Sequence, residues 1–226
     1  ANNEINYALS RTATVSDQET NYWGADKAID GIVNRDAAKA DQSRWATNQS
    51  TSQAARTLTV NLGTQKTFDH FVIEWERTNI TNFKISVCDT EDGEYRDVYV
   101  KNDGENITSV TSDIQLDEAV TAQYVKLTVN GYTVNPGSWQ SVSLYEFEIL
   151  GEAENLSTAA TATADGSETT GTDASKAVDG DDTTRWASPA ATGSHWLKLD
   201  YGSEKTIRTA KIHWERKNAT AYRIEK

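Results

Sequence analysis

The chain repeats itself, and that restricts it to two copies of one architecture. Lys27-Ala28-Ile29-Asp30-Gly31 returns as Lys176-Ala177-Val178-Asp179-Gly180, and Arg44-Trp45-Ala46 returns as Arg185-Trp186-Ala187. Leu58–Gly63 matches Leu197–Gly202, Val72–Arg77 matches Lys211–Arg216, and Phe83-Lys84-Ile85 matches Tyr222-Arg223-Ile224. The order is kept, with an offset of 149 at the first block (176 − 27), 141 at the second (185 − 44) and 139 from Leu58 on (214 − 75), so the first copy carries ten extra residues. Repeated blocks in fixed order mark repeated structural units. The reading is a first unit over 1–151, a short acidic joint at 152–154, and a second unit over 155–226. With an offset of 139 the counterpart of Leu150 would be residue 289, so only the first half of the second unit is present in the 226 residues. A half unit leaves strand edges unpaired and a core open. The sequence is therefore expected to be part of a longer protein.

Each unit reads as all-β. Leu58–Leu62, Phe71–Trp75, Phe83–Val87 and Tyr124–Val129 alternate apolar and polar residues at period two, which is the pattern of half-buried strands. Helical periodicity is nearly absent. Asp92-Gly93, Asp103-Gly104, Asn130-Gly131 and Asn135-Pro136-Gly137 punctuate the runs with turn chemistry. These patterns predict an antiparallel β-sandwich. A unit of about 145 residues buries enough surface to fold without a disulfide or metal. None can form a disulfide here, because Cys88 is the single cysteine, read as a structural or incidental thiol.

Charge and composition exclude several functions. The net charge of −12 argues against a nucleic acid or an anionic membrane surface as partner. No stretch approaches the roughly 20 apolar residues of a membrane-spanning helix. Three separated histidines, with no phosphate loop, nucleophile elbow or zinc spacing, argue against an enzyme. Five Asn-x-Ser/Thr sequons, at Asn48, Asn79, Asn106, Asn155 and Asn218, are what an Asn- and Thr-rich chain produces by chance.

The blocks Lys-Ala-x-Asp-Gly, Arg-Trp-Ala, Leu-x-Val-x-Leu-Gly and the closing Ser143–Ile149 together resemble the discoidin, or coagulation factor C-type, domain superfamily. Within it they look most like the bacterial family 32 carbohydrate-binding modules. The resemblance covers the first unit and the visible half of the second. It implies an eight-stranded jelly-roll sandwich of the galactose-binding-domain-like kind. It also implies a structural calcium, held by the loop after the first strand and by a Glu near the last strand. In the second unit the matching ligands are Lys176 through its carbonyl, Asp179 and Asp181 through carboxylates, and Thr184 through its hydroxyl or carbonyl. In the first unit they are Lys27, Asp30, Ser43 and the distal carboxylate Glu146, with the middle ligand open among Asn34, Asp36 and Asp41. Such closely spaced oxygens suit a hard cation. The competing reading is that Asp30-Gly31 makes a plain turn and Glu146 is a solvated strand residue.

A sugar is recognised by an aromatic face against its ring and planar polar groups on its hydroxyls. Trp45, Trp186, Trp75 and Trp214 lie in the repeated blocks and are expected in the core. Tyr22, Trp23 and Trp139 lie in polar loops without counterparts in the second unit, and by family position they match the ligand site. Arg77, Asn79 and Asn82 resemble the family's hydroxyl donors. Alternatively, the tryptophans cover the end of the barrel, Arg77 pairs with Glu76 or Glu74, and the asparagines cap turns. The family's histidine in the first loop is not evident, since His70 begins a strand. Taken together, the resemblance implies a non-catalytic module that targets a larger secreted or cell-surface bacterial glycoside hydrolase, from a Gram-positive organism, to glycans bearing galactose, GalNAc or GlcNAc. The alternatives are a structural or protein-adhesion domain and, against the charge, a phospholipid-binding one.

Overall fold

The structure, a computed structural model, describes residues 4–49, 54–133, 141–207 and 209–226. It divides into two compact units, Ala1–Ala153 and Glu154–Lys226. Among the described residues there is no α-helix, only five short 3-10 turns.

The first unit contains β1 (Glu4–Asn6), β2 (Thr12–Val15), β3 (Trp45–Ala46), β4 (Arg56–Trp75), β5 (Ile80–Cys88), β6 (Arg96–Lys101), β7 (Thr111–Tyr132) and β8 (Ser143–Glu152). All pairings are antiparallel, in the order β1-β8-β4-β7-β5-β6, with β2 on β4 and β3 on β8. The two long strands make this a sandwich. The register of β4 against β7 slips between Asn61 and Lys66 and again between Phe68 and His70, where bulges let the strands bend. The first half of β4 pairs with β2 and with the end of β7, which continues to β5. The second half of β4 pairs with the start of β7 and with β8. Each long strand thus runs through both layers of a jelly roll. The sequence reads two separate strands in β4, Leu58–Leu62 and Phe71–Trp75, where the fold uses one.

Alternation decides what faces inward. Leu58, Val60 and Leu62 from one half of β4, and Phe71, Ile73 and Trp75 from the other, are buried in a single core with Ile85, Leu127 and Phe147. Phe71 stacks on Phe147 with ring centroids 6.1 Å apart, and Trp75 meets Phe83 edge-on at 5.4 Å. The expected core placement of Trp45 and Trp75 holds, since both are fully buried. At the edge, β1 enters opposite the exit of β8, with Glu4 facing Glu152.

The second unit builds the same beginning. Its β9 (Thr161–Ala164) and β10 (Leu197–Asp200) pair with Ala164 opposite Leu197, as Val15 lies opposite Leu58 in the first unit. Trp186 Nε1 donates to the Gly166 carbonyl at 2.9 Å, as Trp45 Nε1 donates to that of Asp17 at 2.9 Å. Trp186 is only half-buried, however, and Trp214, expected in the core, is 52% exposed. The reason is local: β7 and β8, which cover Trp75, have no counterparts among the described residues, and 201–226 form no strand there.

Candidate functional site

The repeated Asp-Gly is a left-handed turn in both units, with φ of +79° at Gly31 and +76° at Gly180, which favours glycine. In the first unit it presents the Asp30 carboxylate and the Gly31 amide. Asp30 Oδ1 accepts from Ile32 N at 2.9 Å, and its Oδ2 accepts from the Ser43 hydroxyl. From β8, Glu146 Oε2 accepts from Gly31 N at 2.7 Å. Glu146 is completely buried and its Oε1 has no hydrogen-bond partner. Burial pushes its carboxyl up to about 8, against the pull of the Gly31 bond and with Asp30's charge adding to the rise. A buried carboxylate oxygen without a donor is costly unless a positive group takes it. The reading of Glu146 as a solvated residue is therefore wrong in its premise.

Asn34, one of three candidates for the middle position, instead closes the loop. Its Oδ1 accepts from Ser43 N at 2.8 Å and its Nδ2 donates to the Asp41 carbonyl at 3.0 Å. Lys27 turns its ammonium to Asp26 at 3.7 Å. In the second unit the Thr184 hydroxyl lies 2.7 Å from Asp179 Oδ2, 3.0 Å from the Asp181 carbonyl and 3.5 Å from the Lys176 carbonyl. The four residues converge, with one difference from expectation. The Asp181 carboxylate accepts from Thr183 N at 2.8 Å, so it is the carbonyl of Asp181 that faces Thr184. Among the described residues no three His, Cys, Asp or Glu side chains gather. The donor set is carboxylate, hydroxyl and carbonyl oxygen, which fits a hard cation.

Beside this loop Tyr22 stands 77% exposed at the rim of an open cleft of about 440 Å³, lined also by Asn21, Asp26, Asp41 and Gln42. Lys27 and Ser43 line it too, so the cleft adjoins the Asp-Gly loop. Trp23 is half-buried, with the Arg44 guanidinium 3.8 Å over its ring and its Nε1 buried without a partner. Arg44 Nη1 donates to Ser143 Oγ at 2.9 Å and lies 3.4 Å from Glu76 Oε2, which also meets Arg77 Nη2 at 3.4 Å. One chain of contacts therefore links Trp23 to Arg77.

Asn79 Nδ2 donates to the carbonyls of Ser141, at 3.2 Å, and Thr133, at 3.5 Å, while Thr133 N donates back to Asn79 O at 2.7 Å. It ties together the two stems of the segment that carries Trp139, which lies outside the described residues. Asn82 is separate: its Oδ1 accepts from Gly104 N at 2.9 Å and braces the turn after β6.

The family model of the F5/8 type C domain matches residues 12–146 and again 159–226. The chain belongs to the F5/8 type C domain family. Among solved structures it is similar to chitosan-binding module 1 from the chitosanase/glucanase of Paenibacillus sp. IK-5, at 27% identity and a TM-score of 0.52 over 65% of this chain and 99% of that one. Chitosan-binding module 2 of the same enzyme, solved in complex with chitotriose, matches in fold at 24% identity and a TM-score of 0.53, over 65% of this chain and all of that one. A Ruminococcus gnavus GH29 fucosidase shares the fold at 18% identity and a TM-score of 0.52, over 66% of this chain and 27% of the enzyme. No curated protein matches.

For an F5/8 type C domain, the Arg of Arg-Trp-Ala was the residue sequence reasoning passed over. Its signal is in the repeat: Arg44 with Glu76 and Arg185 with Glu215 recur together, and Arg185 Nε lies 3.1 Å from Glu215 Oε2. Arg35 was missed as well, because nothing in the inserted loop announces that it donates to the Trp75 carbonyl and to Glu74 Oε2, at 2.7 Å, while lying 4.8 Å over the Tyr145 ring.

Proposed function

We propose that this chain is a non-catalytic carbohydrate-binding module, with its ligand seated at the end of the first unit where Tyr22 stands. The observation that carries the reading is the cleft beside Tyr22. It offers an exposed ring for a pyranose face, the Asn21 amide for hydroxyls, and two carboxylates, Asp26 and Asp41, in a polar hollow. A related module at 27% identity is named for binding chitosan, and carboxylates suit the ammonium of such an amino sugar. Trp23, next in sequence to Tyr22, carries the Arg44 guanidinium on its ring face. Asn79 joins the two stems of the segment to which Trp139 belongs, and Arg77 meets Glu76. Asn82 has its Oδ1 engaged by Gly104 N.

Calcium is part of the same proposal. Asp30, Glu146, Ser43 and the Lys27 carbonyl would hold it in the first unit, and Lys176, Asp179, Asp181 and Thr184 in the second. It would supply the positive charge that the buried Glu146 lacks and lock the loop that borders the cleft. The parent would be a larger bacterial polypeptide, extracellular or at the cell surface, carrying a catalytic domain such as a glycoside hydrolase. Calorimetric titration of the chain with chitotriose, galactose, GalNAc and GlcNAc tests the binding reading. Saturable heat with at least one of them, reduced tenfold or more by Tyr22→Ala, is the expected result. A folded chain that binds none of the four would overturn it.

A further inference from the structure

Between Asp-Gly and Arg-Trp-Ala the first unit carries a loop that the second does without. Eleven residues, 32–42, separate Gly31 from Ser43, where three, 181–183, separate Gly180 from Thr184, and the difference of eight is the fall in offset from 149 to 141. The short form closes on its own backbone, with Thr184 N donating to the Asp181 carbonyl at 3.1 Å. In the long form the matching amide, Ser43 N, donates to Asn34 Oδ1 at 2.8 Å. Gln42 Nε2 donates to the carbonyls of Arg35, at 2.9 Å, and Ala37, at 3.3 Å, and Asp41 N donates to that of Ala38 at 2.7 Å. Three residues suffice to join the two blocks, so this internally bonded insertion has a task beyond connection.

The insertion reaches in two directions. Arg35 fastens it to the sandwich: its guanidinium donates to the Trp75 carbonyl and to Glu74 Oε2, at 2.7 Å, and lies 4.8 Å over the Tyr145 ring. Glu74 Oε2 is fixed in turn by the Thr111 hydroxyl at 2.9 Å. The other end enters the cleft. That hollow is lined by two segments, 21–27 and 40–43, and Ala40, Asp41 and Gln42 of the second belong to the insertion. Asp41 is one of the two carboxylates there, and its carbonyl is held by Asn34 Nδ2 at 3.0 Å. The other carboxylate, Asp26, is already met in part by the Lys27 ammonium at 3.7 Å.

We propose that the insertion 32–42 is the specificity element of this cleft, with Arg35 and Asn34 as its positioning residues, and that Asp41, carried on it, selects a sugar bearing an ammonium group over a neutral one. This rests on the reading of the cleft as the sugar seat. A loop already bonded in place does not have to be ordered when the ligand arrives. A charge-assisted bond from an ammonium to a positioned carboxylate is about twice as strong as the neutral bond a hydroxyl or amide would make.

The test is calorimetric titration of the 226-residue chain with chitotriose, with its fully N-acetylated counterpart, in which acetyl groups replace the ammonium charges, and with galactose. The variants are Tyr22→Ala, Asp41→Asn at an exposed position, Arg35→Met, and a chain in which 32–42 is replaced by Asp-Asp-Thr, the second unit's own 181–183. The wild type is expected to favour chitotriose over the acetylated trimer by about tenfold, a preference that shrinks with salt. Asp41→Asn, Arg35→Met and the loop replacement should each reduce it to about threefold or less, whereas a residue needed only for stability would shift the urea midpoint and leave the ratio unmoved. Should Arg35→Met unfold, Asp41→Asn and the loop replacement decide. A wild type that binds any of the three sugars through Tyr22, yet lacks the preference or keeps it in Asp41→Asn or in the loop replacement, overturns this inference and leaves the sugar seat standing. A folded wild type that binds no sugar overturns both.

Discussion

The two Arg–Glu pairs form an internal control for the effect of burial on an ion pair. Arg44 meets Glu76 at 3.4 Å with side chains 2% and 16% exposed, whereas Arg185 meets Glu215 at 3.1 Å with both 46% exposed. Distance alone would rank the second pair higher. Removing one partner of a buried pair typically costs about 3–5 kcal/mol, and Arg77 near Glu76 keeps the present case at the lower end. Loss of the guanidinium from the Trp23 face adds about 1 kcal/mol. Arg44→Met keeps the apolar stem and removes both, so roughly 4 kcal/mol should go. Exposed pairs contribute about 0.2–1 kcal/mol, and Arg185→Met should fall in that range. In urea, with a slope of about 2 kcal/mol per molar, Arg44→Met moves the midpoint down by roughly 2 M. Hydrogen exchange around 185–187 reads the second variant locally. Equal losses in the two variants, or an Arg44→Met shift below about 0.5 M, would refute the argument from burial.

Calcium should raise the melting temperature of the chain clearly more than that of Glu146→Gln, which would keep only the second unit's ligands, with melts in calcium and in chelator as the check. His70 is held between Glu4 Oε1, at 3.1 Å, and Asp113 Oδ1, at 2.7 Å, and these hydrogen bonds raise its pKa against the opposing effect of burial. That clasp on β1 is fully present below the unfolded value near 6.5 and is lost as pH rises through the folded value. His70→Gln should therefore flatten the stability profile above pH 6, as urea midpoints from pH 5 to 9 would reveal. Asn82→Ala should leave sugar affinity unchanged while costing about 1 kcal/mol by freeing the Gly104 amide; titration and denaturation of the same sample separate the two.

Much of the fold was legible because it is written twice. The matched blocks locate β4, β5 and β10, and alternation assigns Phe71, Ile73 and Trp75 to the core. The bend within β4 was not legible, since a bulge is settled by the register against β7, a strand about sixty residues away. Glu146 could be named as a cation ligand from resemblance, but its unsatisfied oxygen depends on the loop that folds over it. Asn79 and Asn82 read alike as amide donors in one short stretch, yet two residues of strand separate a brace for the loop stems from a brace for a distant turn. Trp214 carries the core signature of Trp75 and is 52% exposed where the described residues hold no counterparts of β7 and β8, because burial belongs to the partner strands as much as to the residue.

The antiparallel meeting of Glu4 with Glu152 has a mechanical consequence. The chain enters and leaves the first unit at neighbouring points, so the unit hangs on its polypeptide like a bead tied by one knot. Tension along the thread would peel β1 from β8 one rung at a time rather than shear the sheet, and three rungs are a weak seam. Under such a load the first unit would yield at this seam before its core is disturbed.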